Sequence, residues 1–99
     1  FIYTIDTKIK RPTWNSIKQT DDGVRLRWYR PKQEHTLGYY VYRSTTAAGP
    51  FKKITSRIVT KQNYTDTSVK TGRKYYYKVR AIDDLGNAST LSDAKRIVL

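Results

Sequence analysis

Nine tyrosines, twenty lysines and arginines, a single histidine and no cysteine mark out the chemistry open to this chain of 99 residues. Without cysteine there is no thiol nucleophile, no thiolate metal site and no disulfide framework. His35, following Glu34 in loop-like sequence, excludes His-pair metal motifs and leaves little for acid–base work. It reads as a solvated loop residue. The acidic pairs Asp21-Asp22 and Asp83-Asp84 sit beside glycine in turn sequence. Adjacent residues of an extended chain point to opposite faces, so neither pair converges on one substrate. Both pairs read as turn caps made by aspartate side chains. A calcium site at Asp83, Asp84 and Asn87 needs about six oxygen ligands at defined spacing, which this loop does not provide. Serine and threonine are plentiful, but no histidine–carboxylate arrangement accompanies them. The chain is therefore read as a non-enzyme, with no catalytic residue, cofactor or metal. What remains is recognition chemistry: tyrosine rings beside cations, at Tyr40, Tyr42, Tyr76, Lys78 and Arg80.

Those residues fall in period-two runs, the signature of half-buried strands. In residues 23–30, Val24, Leu26 and Trp28 share one face, and Arg25, Arg27 and Tyr29 the other. In residues 38–44, Tyr39 and Val41 alternate with Tyr40 and Tyr42. In residues 73–82, Tyr75, Tyr77, Val79 and Ala81 alternate with Tyr76, Lys78 and Arg80. Shorter strand candidates are 12–18, 51–58, 62–66 and 94–99. Turns at Ala48-Gly49-Pro50, Thr71-Gly72 and 83–87 divide them. No helical period is present. About seven strands with turns at roughly ten-residue intervals predict an all-β, two-sheet antiparallel sandwich of immunoglobulin-like type, with a small barrel as the alternative. Residues 1–11 stand apart: Phe1, Tyr3 and Ile5 alternate like a preceding strand, an extra edge strand or the tail of a preceding domain. The domain proper spans 12–99.

These residues together resemble a fibronectin type III domain, most closely the versions in bacterial surface and secreted proteins. The resemblance is carried by Val24-x-Leu26-x-Trp28, the run Gly38 to Ser44, Gly49-Pro50-Phe51, Tyr64-Thr65-Asp66, Tyr75-x-Tyr77-x-Val79-x-Ala81, and Gly86-Asn87-Ala88-Ser89 with Ser92. It implies that Trp28 is the core tryptophan of the second strand. It also implies that Tyr75 is the tyrosine corner, Val69 the apolar plug of the crossover before it, and Tyr39 and Val41 the inward face of the third strand. Tyr77 and Val79 join the same core. The third and sixth strands are neighbours in this family, so Tyr40, Tyr42, Tyr76, Lys78 and Arg80 are expected on one outer surface. Arg-Gly-Asp and Trp-Ser-x-Trp-Ser are both missing, which sets aside those adhesive and cytokine-receptor readings.

Net charge is +12, with nine of the basic residues in 1–50 and eleven in 51–99. A surface this positive attracts polyanions without naming one. Tyrosine beside lysine and arginine suits protein interfaces, sugars and bases. The same pattern also serves a plain solvated sheet, but three outward tyrosines in one patch exceed what sheet stability requires. Neither an entering helix nor a defined nucleic-acid platform is present, so nucleic acid ranks below protein or glycan. The expected function is a non-catalytic interaction and spacer module of a larger extracellular or cell-envelope protein, contacting a protein partner or neighbouring domains. The alternative is a polyanion-binding module for acidic polysaccharide, lipopolysaccharide or nucleic acid. A third expectation is insertion of the 1–5 strand into a neighbour. No apolar run reaches the ~20 residues of a membrane span. Asn63-Tyr64-Thr65 and Asn87-Ala88-Ser89 match the N-glycosylation pattern, which matters only in a eukaryotic secretory context.

Overall fold

Alternation in the segment around Trp28 dictates a hairpin. β2 (Thr13–Thr20) and β3 (Gly23–Tyr29) pair antiparallel across the Asp21-Asp22 turn. In the computed structural model, which describes residues 3–99, Val24, Leu26 and Trp28 are buried while Arg25, Arg27 and Tyr29 are exposed. β6 (Asn63–Asp66) pairs with the far side of β3 and completes a three-stranded sheet, β2-β3-β6.

The second sheet is built around β7 (Lys74–Asp83) and β4 (Thr36–Ser44), paired antiparallel from Thr36↔Asp83 to Ser44↔Tyr76. Short strands β5 (Lys52–Lys53), β8 (Asn87–Ala88) and β9 (Lys95–Val98) extend it. β5 pairs with β4, while β8 and β9 both pair with the same edge of β7, one at each end. β1 (Thr4–Ile5) runs parallel to β8, with Thr4 opposite Asn87 and Ile5 opposite Ala88. The N-terminal segment thus adds an edge to this chain's own sheet. Phe1 and Ile2, the rest of the insertion strand expected from the sequence, lie outside the described residues.

Between the sheets sits a core of Val24, Leu26, Trp28, Tyr39, Val41, Tyr75, Tyr77, Val79 and Ala81. Trp28 is its hub. Its ring meets Tyr39 edge-on at 5.4 Å and Trp14 at 6.2 Å, the arrangement that aromatic quadrupoles favour. Every residue assigned an inward role by the sequence, Trp28, Tyr39, Val41, Tyr75, Tyr77 and Val79, is buried here, and Val69 packs against the core from the crossover.

Two details correct the sequence reading and one adds to it. The strand expected over 51–58 stops at Lys53. Beyond it the Thr55 hydroxyl, rather than a backbone carbonyl, accepts from Val41 N, and the segment rejoins β4 only at the isolated bridge of Val59 with Tyr39. The strand expected over 94–99 is present as β9 (Lys95–Val98), but the same edge also carries β8, a short strand the sequence reading did not include. Between β8 and β9, the Ser89 and Ser92 hydroxyls accept from the N–H groups of Ala81 and Val79, both at 2.9 Å. Side-chain oxygens thus replace ladder carbonyls where the edge strand breaks, as buried amides require. Finally, aspartate caps only one of the two acidic turns. Asp83 Oδ1 accepts from Leu85 N and Asn87 N, and its other oxygen from the Asn87 amide. At Asp21-Asp22 the Thr20 hydroxyl does this, accepting from Asp22 N and donating to Gly23 O.

Candidate functional site

The register of β4 against β7 places Tyr40 opposite Arg80, Tyr42 opposite Lys78 and Ser44 opposite Tyr76. All five candidate residues leave the sheet on its outer face and are half-buried. Four of them form a continuous grid. The Arg80 guanidinium lies 5.2 Å from the Tyr42 ring centre. Burial pushes the Tyr42 phenol above its ordinary range, and Arg80 offsets part of that rise. Tyr76 occupies the next row, between Ser44 and Arg96 of β9, and among the described residues no cation stacks on its ring.

Two further residues complete the grid. Lys53, opposite Tyr42 from β5, holds its ammonium 4.3 Å from the Tyr40 ring centre. Lys78 lies over Phe51 at 4.7 Å. Tyr3 meets the edge of Tyr40 at 6.2 Å. The sequence reading did not assign Phe51 and Lys53 to this face. Their i, i+2 spacing was the available signal. Among the described residues, no ion pair links Lys53, Lys78 or Arg80 to a carboxylate. Their compensating partners are rings, so the face shows a net positive field carried on aromatic supports.

The two buried carboxylates are engaged away from this face. Asp66 is buried between the sheets. Its Oδ2 accepts from Arg43 Nη1 and Tyr77 Oη, both at 2.7 Å, and its Oδ1 from Ser68 N. Burial and the bond to Asp66 drive the Tyr77 phenol far above its ordinary pKa. The Arg43 guanidinium is held above its usual value: burial opposes its charge, but the contact with Asp66 outweighs that. Asp83 is held below the usual carboxylate range, because the N–H donors of Asn87 and Leu85 outweigh the burial that opposes its ionisation. His35 lies half-exposed between Glu34 at 3.8 Å and Asp84 at 3.4 Å, with a positive φ of 66°. Among the described residues, no group of three or more histidine, aspartate or glutamate side chains could hold a metal. Of the two glycosylation-pattern sites, Asn87 donates its amide to Asp83 and Ser89 is fully buried.

The crossover into β7 carries one more diagnostic contact: the Tyr75 hydroxyl accepts from Lys70 N at 2.9 Å. A two-sheet antiparallel sandwich, a tryptophan packed between the sheets and this tyrosine corner define an immunoglobulin-like β-sandwich. A model of the family described as fibronectin type III domain, SaeA third domain, matches residues 13–97, and the chain belongs to the fibronectin type III family. It is 47% identical over 60 residues to an amylopullulanase of Thermoanaerobacter thermohydrosulfuricus, a stretch that is 61% of this chain and 4% of that protein. It is 41% identical over 79 residues to an amylopullulanase of Thermoanaerobacterium saccharolyticum, covering 79% of this chain and 6% of that protein. The chain therefore spans only a small fraction of these relatives. Among solved structures, an Fn3-like protein from Clostridium thermocellum superimposes with a TM-score of 0.76 at 35% identity, covering 88% of each chain. Among the described residues, no helix is long and apolar enough to cross a membrane.

Proposed function

We propose that this domain is a non-catalytic contact and spacer module of a larger extracellular or cell-envelope protein that acts on carbohydrate. The outer face of the large sheet is its contact surface for a neighbouring domain or a protein partner. The observation that carries this reading is the match to amylopullulanase segments that make up 4% and 6% of those proteins. The structure adds a physical reason. Both buried carboxylates, Asp66 and Asp83, are engaged in holding the fold, so neither is poised as an acid or base for glycosidic chemistry.

The test is a graft. The matched segment of the T. saccharolyticum amylopullulanase is replaced by this chain, in native form and with Tyr40→Ser, Tyr42→Ser and Tyr76→Ser combined. The native graft is expected to keep hydrolysis of pullulan and unfold cooperatively with the rest of the enzyme. The serine graft is expected to lower the unfolding temperature of the flanking domains. Equal temperatures for both grafts remove the face from the proposal. Reducing sugar released by the isolated chain overturns the non-catalytic reading.

A second reading has its own observation: among the described residues, the ring-supported cations of this face form no ion pair with a carboxylate. It makes the face a polyanion-binding surface. Retention of the isolated domain on heparin is then expected to fall steeply from about 50 to 300 mM salt. Salt-insensitive binding counts against it.

A further inference from the structure

The outer face of the small sheet carries cations of a different kind. Lys18 of β2 and Arg25 of β3 are direct antiparallel partners. Cβ atoms so paired stand about 4.5–5.5 Å apart on one face, and like charges placed there are destabilising. Arg27, two residues along β3, projects from the same face about 7 Å away. Its direct partner is Ser16. These side chains, with Thr20, surround a hollow of ≈ 230 Å³. On the other flank, Thr65 and Asn63 of β6 stand opposite Arg25 and Arg27.

Nothing in the described structure compensates this charge. Arg43 has Asp66, Arg11 has Asp93, and Lys53, Lys78 and Arg80 have rings. Lys18, Arg25 and Arg27 take part in none of the ion pairs, side-chain hydrogen bonds or ring contacts among the described residues. The only carboxylates on this hairpin are Asp21 and Asp22 at its tip, and neither pairs with these cations. The Thr20 hydroxyl already donates to Gly23 O, so Ser16 supplies the free hydroxyl.

We propose that this hollow is an oxyanion site for a phosphate group. Two guanidinium-bearing side chains and one ammonium-bearing side chain, all exposed to solvent, line a volume that admits one phosphate with several waters, each taking about 30 Å³. Planar guanidinium forks match phosphate oxygens in a bidentate way that single ammonium groups do not. A bound anion turns a mutually repelling triad into a compensated one. The site is independent of the aromatic face and of the proposed role in a larger enzyme.

Thermal unfolding of the 99-residue chain tests it, in sodium phosphate up to 10 mM against sodium chloride of equal ionic strength. That range keeps general salting effects small. The native chain is expected to gain about 4 °C in phosphate over chloride. Arg25→Gln and Lys18→Gln are expected to unfold at the same or a higher temperature than native in chloride, because repulsion is relieved, yet to lose the phosphate-specific gain. Lys52→Gln, on β5 of the other sheet, is expected to keep it. Amide shifts on phosphate titration should centre on Ser16, Lys18, Arg25 and Arg27. A native chain without a phosphate-specific gain, or variants that retain it, overturns the assignment. A polyphosphate arm separates sources: greater potency per phosphate indicates a polymer-borne group, and equal potency a free one.

Discussion

At the scale of single residues, the most demanding device in this domain is Asp66. It is a buried carboxylate shared by Arg43, Tyr77 and the backbone of Ser68. Removing one partner of a buried, hydrogen-bonded pair leaves the other charge uncompensated. Arg43 keeps about a quarter of its side chain exposed, with 24% accessibility against 3% for Asp66, so the cost falls at the lower end of the usual range. Asp66→Asn is expected to lower stability by about 3 kcal/mol, read from the urea midpoint. The same cluster sets an alkaline limit. Tyr77 keeps its proton more tightly folded than unfolded, so its contribution is complete below about pH 10 and eroded as pH rises further. Tyr77→Phe should flatten that alkaline decline, at about 1 kcal/mol of stability at pH 7. Asp83 acts with the opposite sign. Its depressed folded pKa gives stability present above about pH 4 that is lost on further acidification. Unfolding scans of Asp83→Asn should therefore show a shallower acid limb than those of the native chain.

At the scale of elements, this fold depends on side chains that substitute for strands. β8 and β9 are interrupted, and Ser89 and Ser92 serve the amides of Ala81 and Val79 across the gap. Ser89→Ala or Ser92→Ala strands a buried N–H and is expected to cost about 1–3 kcal/mol each. Hydrogen exchange at Ala81 and Val79 should accelerate selectively, while exchange at Leu26 in the other sheet follows only the global loss. Gly38 marks a second critical point, at the bulge where β4 meets the segment around Val59. A Cβ there would lie 2.2 Å from Ile58 Cγ2 and 2.7 Å from Val59 O. Gly38→Ala should therefore separate the two segments and break the Tyr39↔Val59 bridge, visible as loss of protection at Val59.

At the scale of the whole molecule, the two outer faces manage the same excess of charge by different means. The large sheet settles its cations on Tyr40, Tyr42 and Phe51, while the small sheet leaves Lys18, Arg25 and Arg27 facing a hollow. Rings capped by cations are poor platforms for a neutral sugar, which stacks on an open face. Affinity electrophoresis through soluble starch or pullulan is therefore expected to leave the isolated domain unretarded, whereas heparin retards it at low salt. Retardation by pullulan would mean that the rings, rather than the cations, present the binding chemistry. Lys53→Gln, Lys78→Gln and Arg80→Gln together should flatten the salt dependence of heparin retention.

Alternation alone determined which residues face inward. Period two in 23–30, 38–44 and 73–82 leaves Trp28, Tyr39, Val41, Tyr75, Tyr77 and Val79 no other side of a half-buried sheet. The same logic put Tyr40, Tyr42, Tyr76, Lys78 and Arg80 on the outer side. Long strands were legible because their pattern repeats over many residues. The two-residue strands were legible only in part: β1 and β5 lie inside longer expected strands and β8 was missed, because their extent and pairing are decided by a partner far away in the chain. Only the tertiary structure brought Lys53 and Phe51 beside Tyr40 and Lys78, set Lys18 against Arg25, and chose Thr20 over Asp21 and Asp22 as the cap of its turn. These depend on register and on distances between segments, which local residue types do not encode. Charge composition set an excess of cations; the sheet register decided where that charge is compensated and where it is left open.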